Sequence, residues 1–226
     1  MLAFARSNSS VCTVPDPDFF IPGSVLNRIL LEAPFLARCS YNKTAGRIRP
    51  REYALRYPYM QLNRPGMRSW LIFDLDHLNS HIWDDAGLPP PNLIMRNRFS
   101  GKSHVVYAIS SVCTTANARS KPINCMRAIY VAMAARLEAD TDYHGGPVAK
   151  TPGHPWWQTS ALHSHVYDLG ELAEYLQLKV SSFWKNEPAE DNQSCSRHGI
   201  LFEKLRYFAY RIVDHERKHG SFLNFI

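Results

Sequence analysis

The stretch SWLIFDLDH, residues 69–77, constrains this chain more than any other. Trp70, Leu71, Ile72 and Phe73 are consecutive large apolar side chains, the composition of a buried strand. That strand runs straight into Asp74, with Asp76 one residue beyond it. Alternate side chains of a strand point to opposite faces, so both aspartates share a face, with Cα atoms roughly 6–7 Å apart. Two ionised carboxylates at that separation repel, and desolvation raises the cost of both charges. Positive charge must therefore stand in front of them: one metal ion, a pair of them, or an Arg or Lys supplied by the fold. An arbitrary Asp-x-Asp is more often a strand end whose carboxylates accept turn hydrogen bonds. Here the apolar run draws at least Asp74 into the sheet, where hard anionic oxygens on rigid backbone suit divalent cations.

Further along, SGKSHVVYAI has the β-branched and aromatic content of a strand, with His104, Val106 and Ala108 on one face and Val105, Tyr107 and Ile109 on the other. A lone histidine is ordinarily satisfied by a backbone carbonyl. If this strand lies beside residues 69–76, however, His104 and Lys102 reach the face of the two aspartates, where donors of that kind meet a phosphate. Asp140 and Asp142 follow the clearest helix, residues 120–138, at an end where negative charge opposes the helix dipole. Three carboxylates with a His and a Lys suggest metal-dependent phosphoryl or nucleotidyl transfer.

Other elements are read from pattern. GSVLNRILLEAPFLARC begins as a helix with Val25, Ile29, Leu30 and Leu36 inward. YMQLNRPGMRSWLIFDLDH reads as two strands joined across a Pro-Gly turn. Ser120 can cap the 120–138 helix, with Pro122 tolerated in its first turn. Asp168 and Glu171 stand at capping-box spacing, so a helix starts there. A long helix follows in SRHGILFEKLRYFAYRIVDHERKHG, closed by Gly220. The order implies an α/β sandwich around a mainly antiparallel sheet.

Residues 40–57 carry Lys43, Arg47, Arg49, Arg51 and Arg56 among aromatics, either as a solvated loop or as a nucleic-acid contact. A net charge of +6 favours a polyanionic partner without demanding one. The five cysteines are scattered with no CxxC pair, which reads as reduced thiols in a cytoplasm-like compartment. No stretch is long and apolar enough for a signal peptide or a membrane span. Cys195/His198 with His215/His219 could hold zinc by spacing alone, but the last two imidazoles also suit a helix end.

Taken together, these motifs resemble the replication-initiator (Rep) primases of colicin-type plasmids, in the archaeo-eukaryotic primase superfamily. The correspondence runs from about residue 34 to residue 211: YMQLN, WLIFDLDH, the Ser-x-His of SGKSHVVYAI, LEADTDY, KTPGHPWW, and SRHGILFEKLRYFAYR. The resemblance implies an RRM-like catalytic sheet packed with an N-terminal α/β module (1–66, 67–180) and a helical C-terminal segment (181–226). It implies that Asp74, Asp76 and Asp140, rather than Asp142, bind Mg²⁺ or Mn²⁺, and that His104 binds the incoming nucleotide's phosphates. Lys102 and Ser103 would assist, Lys150 would contact phosphate or template, and Arg47, Arg49 and Arg51 would track DNA. The implied activity is synthesis of a short RNA (or DNA) primer from NTPs, possibly dNTPs, on single-stranded DNA at a plasmid origin, for a host DNA polymerase to extend.

The chain departs from the family pattern at His77, Thr151, Ser196 and His198. Family members carry an origin-binding region after this domain, and this chain stops about where it would begin, as a truncated or minimal version does. Two rival readings compete with the primase. One is a rolling-circle nicking enzyme using His163 and His165 for a metal and Tyr207 or Tyr210 as nucleophile. The other is a catalytically inactive DNA-binding module.

Overall fold

The computed structural model describes residues 17–42, 46–143, 146–178 and 205. The chain divides into two units, Met1–Lys185 and Asn186–Ile226, and all the described strands lie in the first. After a 3₁₀ turn at Pro17–Phe20, helix α1 spans Val25–Glu32. Ser24 caps it, its hydroxyl accepting the Asn27 N–H at 3.0 Å, and Val25, Leu26, Ile29 and Leu30 are buried. Leu36 does not continue that apolar stripe as the helical spacing predicts. Pro34 disfavours helix at Ala33. The chain re-emerges as strand β1 (Leu36–Ser40), whose period of two buries Ala37 and Cys39 and leaves Leu36 exposed.

The basic stretch 40–57 is not wholly a loop either. Arg47–Pro50 forms strand β2 and Arg51–Ala54 one helical turn, α2. An edge strand has no second neighbour to bury it, so it can be built from arginines without an apolar alternation. Tyr59–Met60 (β3) and Met67–Leu75 (β4) follow, the two strands expected around the Pro-Gly turn. Then come α3 (Ile82–Asp85), β5 (Leu93–Asn97), β6 (Ser103–Cys113), α4 (Ser120–Arg136), β7 (Ala149–Lys150), β8 (Trp157–Ala161) and α5 (Leu169–Tyr175). Ser120 is the first residue of α4, with Arg119 at the cap position. The capping box predicted for α5 is formed by Asp168 and Glu171. Of the long helix expected beyond residue 195, only Leu205 lies among the described residues, where it is helical and exposed.

The strands make two antiparallel sheets, ordered β2-β1-β3-β7 and β4-β6-β5-β8. β7 thus returns the chain to the first sheet long after β3. In the second sheet, Asp74 pairs opposite His104 and Leu75 opposite Ser103. A bulge between Arg68 and Trp70 is splinted by Asn63, the last residue of YMQLN: its Oδ1 accepts the N–H groups of Ser69 (2.9 Å) and Trp70 (3.0 Å), and its Nδ2 donates to Trp70 O at 2.9 Å.

Both faces of the second sheet are covered, which is why β4 reads as an unbroken apolar run. Trp70, Ile72, Met95 and Val106 pack with α1 and with Ala37, Cys39 and Met60 of the first sheet. Leu71, Phe73, Val105 and Tyr107 pack under α4, through Met126, Ile129 and Met133, and under α5, through Leu172. At about 1.5–3 kcal/mol per fully buried large apolar side chain, this sandwich holds the ends of β4 and β6 rigidly. No helix among the described residues is long and apolar enough to cross a membrane.

Candidate active site

Asp74 ends the apolar run on the face shared with Trp70 and Ile72, between the two sheets, and only 2 % of it is exposed. Its Oδ1 lies 3.2 Å from His104 Nε2 and 3.6 Å from Lys150 Nζ. The backbone N–H of Lys150 donates to His104 Nδ1 at 3.3 Å, which leaves the proton of the neutral ring on Nε2, toward Asp74. His104 is wholly buried and Lys150 is 4 % exposed. A carboxylate, an imidazole and an ammonium from β4, β6 and β7 thus meet in one enclosed spot.

Asp76, just past β4, is exposed, and its Oδ1 receives Lys102 Nζ at 3.0 Å. The positive charge demanded by the paired aspartates is supplied here by two lysines, one beside each. Asp140 is brought in by the backbone. After α4 the chain takes a left-handed step at Glu138 (φ 49°), and Ala139 N–H returns to Ala134 O at 2.9 Å. Asp140 N–H then donates to Asp74 O at 2.9 Å. Its Oδ1 accepts the Asp142 N–H at 2.9 Å, so Asp140, not Asp142, is the acid tied to the end of β4.

Two residues with no role assigned from sequence complete the surroundings. Tyr143 sets its ring 5.1 Å from that of His104, and its hydroxyl donates to Val148 O at 3.0 Å. Burial first, and the Asp74 charge second, push its phenol well above the ordinary value, so it stays neutral. Trp157 lies 5.9 Å beneath the Lys150 ammonium and is anchored by its indole N–H on Pro58 O at 2.6 Å. Its place in Lys-x-Pro-x-His-x-x-Trp was the available signal. For Tyr143 the signal was an aromatic three residues after Asp140, at the end of LEADTDY.

Ser103 is buried on the opposite face from His104, opposite Leu75, so its hydroxyl does not share the carboxylates' side of the sheet. Arg47 and Arg49 are exposed on edge strand β2, on the same side as Ala37 and Cys39. Arg51 is half-buried, with Nη1 on Leu31 O at 3.2 Å and Nε on Glu52 at 3.3 Å. His163 and His165 lie at the far end of the second sheet, past Ala161, which pairs with the first residue of β5. His163 Nε2 meets Pro90 O at 2.9 Å, and His165 Nε2 meets Glu171 at 3.0 Å. Tyr207, Tyr210, Cys195, His198, His215 and His219 lie outside the described residues.

Carboxylate oxygens at a rigid strand end are the donors a hard divalent ion takes, and Asp74, Asp76 and Asp140 fit such an ion in kind. Among the described residues, no three His, Cys, Asp or Glu side chains are gathered as a ready-made metal cluster.

Comparison with known proteins gives the fold first. The AEP domain (PP-N190) of the cyanophage S-2L primase-polymerase (PrimPol) matches with a TM-score of 0.52 at 15 % identity, covering 73 % of this chain and 100 % of that one. The mixed α/β architecture of two antiparallel sheets is therefore that of an archaeo-eukaryotic primase, as the motifs led us to expect. The model of the Replicase family matches residues 32–176, more than half of the chain. The chain belongs to the Replicase family. No curated protein matches it.

Proposed function

We propose that this protein is a plasmid replication-initiator primase. It makes a short RNA or DNA primer on single-stranded DNA at the plasmid origin, in the cytoplasm, and a host DNA polymerase extends that primer. The observation that carries this reading is the convergence of His104 and Lys150 on Asp74 at the end of β4, with Asp76 and Lys102 immediately outside.

In the reaction, the oxygen of a 3′-hydroxyl forms a bond to the α-phosphorus of a nucleoside triphosphate, the hydroxyl proton leaves, and pyrophosphate departs. Asp74, Asp76 and Asp140 would hold Mg²⁺ or Mn²⁺, which when bound supplies Lewis-acid activation of the hydroxyl and charge stabilisation at phosphate. His104, held in one tautomer by the Lys150 backbone, presents an Nε2–H donor beside the carboxylates. Lys150 and Lys102 offer ammonium groups that can pass from carboxylate to triphosphate as the substrate brings in its own negative charge. Ser103, whose side chain turns to the other face, gains no nucleotide contact from this geometry. Arg47, Arg49 and Arg51 draw in the template by charge, so template binding weakens steeply with salt.

The nicking alternative gains nothing from the geometry, because the rings of His163 and His165 are occupied at the far end of the sheet. The test is synthesis on single-stranded template with labelled NTPs and Mn²⁺, comparing the wild type with Asp74→Ala/Asp76→Ala. Product from the wild type alone supports the assignment, and equal primer yield from both refutes it. Sequencing primers made from mixed NTPs and dNTPs settles which sugar is used.

A further inference from the structure

The β5–β6 hairpin carries its tip past the end of the sheet at which the carboxylates lie. β4 ends at Leu75, opposite Ser103 where β6 begins, and Ser103 in turn faces Arg96 near the end of β5. The tip is a fixed turn. Asn97 Oδ1 accepts the N–H groups of Phe99 (2.9 Å) and Ser100 (3.2 Å), and Gly101 N–H donates to Asn97 O at 3.0 Å. Gly101 sits at φ +72°, and a Cβ there would come within 2.6 Å of Leu78 Cδ2, so only glycine closes the turn without strain.

This rigid turn holds out Phe99, which is 99 % exposed. Arg98, next to it in the turn, and Lys102 are exposed as well, and Lys102 Nζ already touches Asp76 at 3.0 Å. A pre-formed aromatic platform flanked by cations and set beside a nucleotidyl-transfer site has the complementarity of an unpaired nucleic-acid strand: π faces for the ring, phosphates for the cations. The turn's own hydrogen bonds have already ordered the backbone that carries the ring, which lowers the entropy cost of binding.

We propose that Phe99 stacks on an unpaired base of the single-stranded DNA entering the site, while Arg98 and Lys102 hold the adjoining phosphates. This rests on the polymerase reading of Asp74 and Asp76 and adds a contact for the strand that reading requires. One base–aromatic stack is worth about 1–3 kcal/mol by alanine substitution, so Phe99→Ala weakens binding about 5- to 140-fold. Phe99→Trp retains it.

The experiment is fluorescence anisotropy with a labelled oligothymidylate and with an abasic oligomer of the same length, on wild type, Phe99→Ala and Phe99→Trp. Thermal melts confirm that the exposed substitution leaves the fold intact. The expected result is a loss for Phe99→Ala on oligothymidylate that Phe99→Trp does not show and that vanishes on the abasic strand, which keeps its phosphates but offers no bases. Equal affinity of Phe99→Ala and wild type for oligothymidylate overturns the proposal, as does an equal loss on the abasic strand. Unchanged DNA binding with loss of self-association assigns Phe99 to contact with a second copy and overturns it too. Failure of the polymerase reading looks different: Asp74→Ala/Asp76→Ala goes on making product while Phe99→Ala still binds poorly.

Discussion

Consider removing the Asp74 charge by Asp74→Asn, the Lys150 charge by Lys150→Met, and both together. The two groups lie 3.6 Å apart, and each is at least 95 % enclosed. At an effective dielectric of about 20 their attraction is roughly 4–5 kcal/mol, set against a desolvation cost of several kcal/mol for each ion. Deleting one partner keeps the cost and discards the attraction. Each single variant should therefore lose about 3–5 kcal/mol of stability, which is about 6–20 °C in Tm for a chain of this size. Deleting both removes cost and gain together, so the double variant should be more stable than the sum of the singles by about 2 kcal/mol or more. Urea unfolding of all four proteins, followed by circular dichroism, measures the cycle. High salt should change it little, because a buried pair is poorly screened. Additivity within about 0.5 kcal/mol would refute the claim that Lys150 neutralises Asp74.

Other outcomes follow from neighbouring geometry. Asn92 is buried, with Oδ1 accepting the Ala108 N–H at 2.7 Å and Nδ2 donating to His165 O at 2.6 Å. Asn92→Ala leaves both backbone groups without that partner, and chemical denaturation should show a loss of about 2–6 kcal/mol at about 1–3 kcal/mol per group. His163→Ala/His165→Ala should leave primer synthesis unchanged; its abolition would revive a metal role for the His-x-His. Burial pushes His154 down to about 4 from 6.5. Above pH 6.5 the ring is neutral folded and unfolded, and as pH falls the unfolded chain binds a proton that the folded one refuses. Stability should therefore decline as pH drops from 6.5 toward 4 and level off below, and His154→Gln should flatten that part of a melting-temperature profile.

The parts of the fold legible in the sequence are those whose periodicity is set by burial on a large face. β4 and β6 are long enough for their alternation to fix which residues face together, and so the meeting of Asp74 with His104 follows from strand parity once the two strands are paired. α4 carries its apolar stripe over four turns, and α5 announces itself by its capping box. Two short strands were hidden: β7 has two residues, too few for a period, and β2 is an edge strand whose arginines read as a loop. β3, equally short, was legible only through the Pro-Gly turn that follows YMQLN. Leu36 misled because an apolar residue at helical spacing is indistinguishable from one that starts a strand after a proline. The burial of Lys150 is a tertiary fact: it depends on β7 joining the first sheet and on Trp157 lying beneath it, and nothing local to AKTPG encodes either. Ser103 shows the converse, since its adjacency to His104 in sequence puts it on the other face.

The central claim is that the carboxylates at the end of β4 carry the chemistry, and Asp76 offers the most direct test. It is exposed, and its pairing with Lys102 is a surface ion pair worth at most about 1 kcal/mol. Asp76→Asn should therefore fold with an unchanged melting temperature, so a lost activity is not a lost fold. Single-turnover nucleotide incorporation on a primed single-stranded template, with Mn²⁺ and saturating NTP, should fall by about 10³-fold or more, the several kcal/mol that a misplaced ion no longer supplies. Incorporation at the wild-type rate by that well-folded variant would contradict the account.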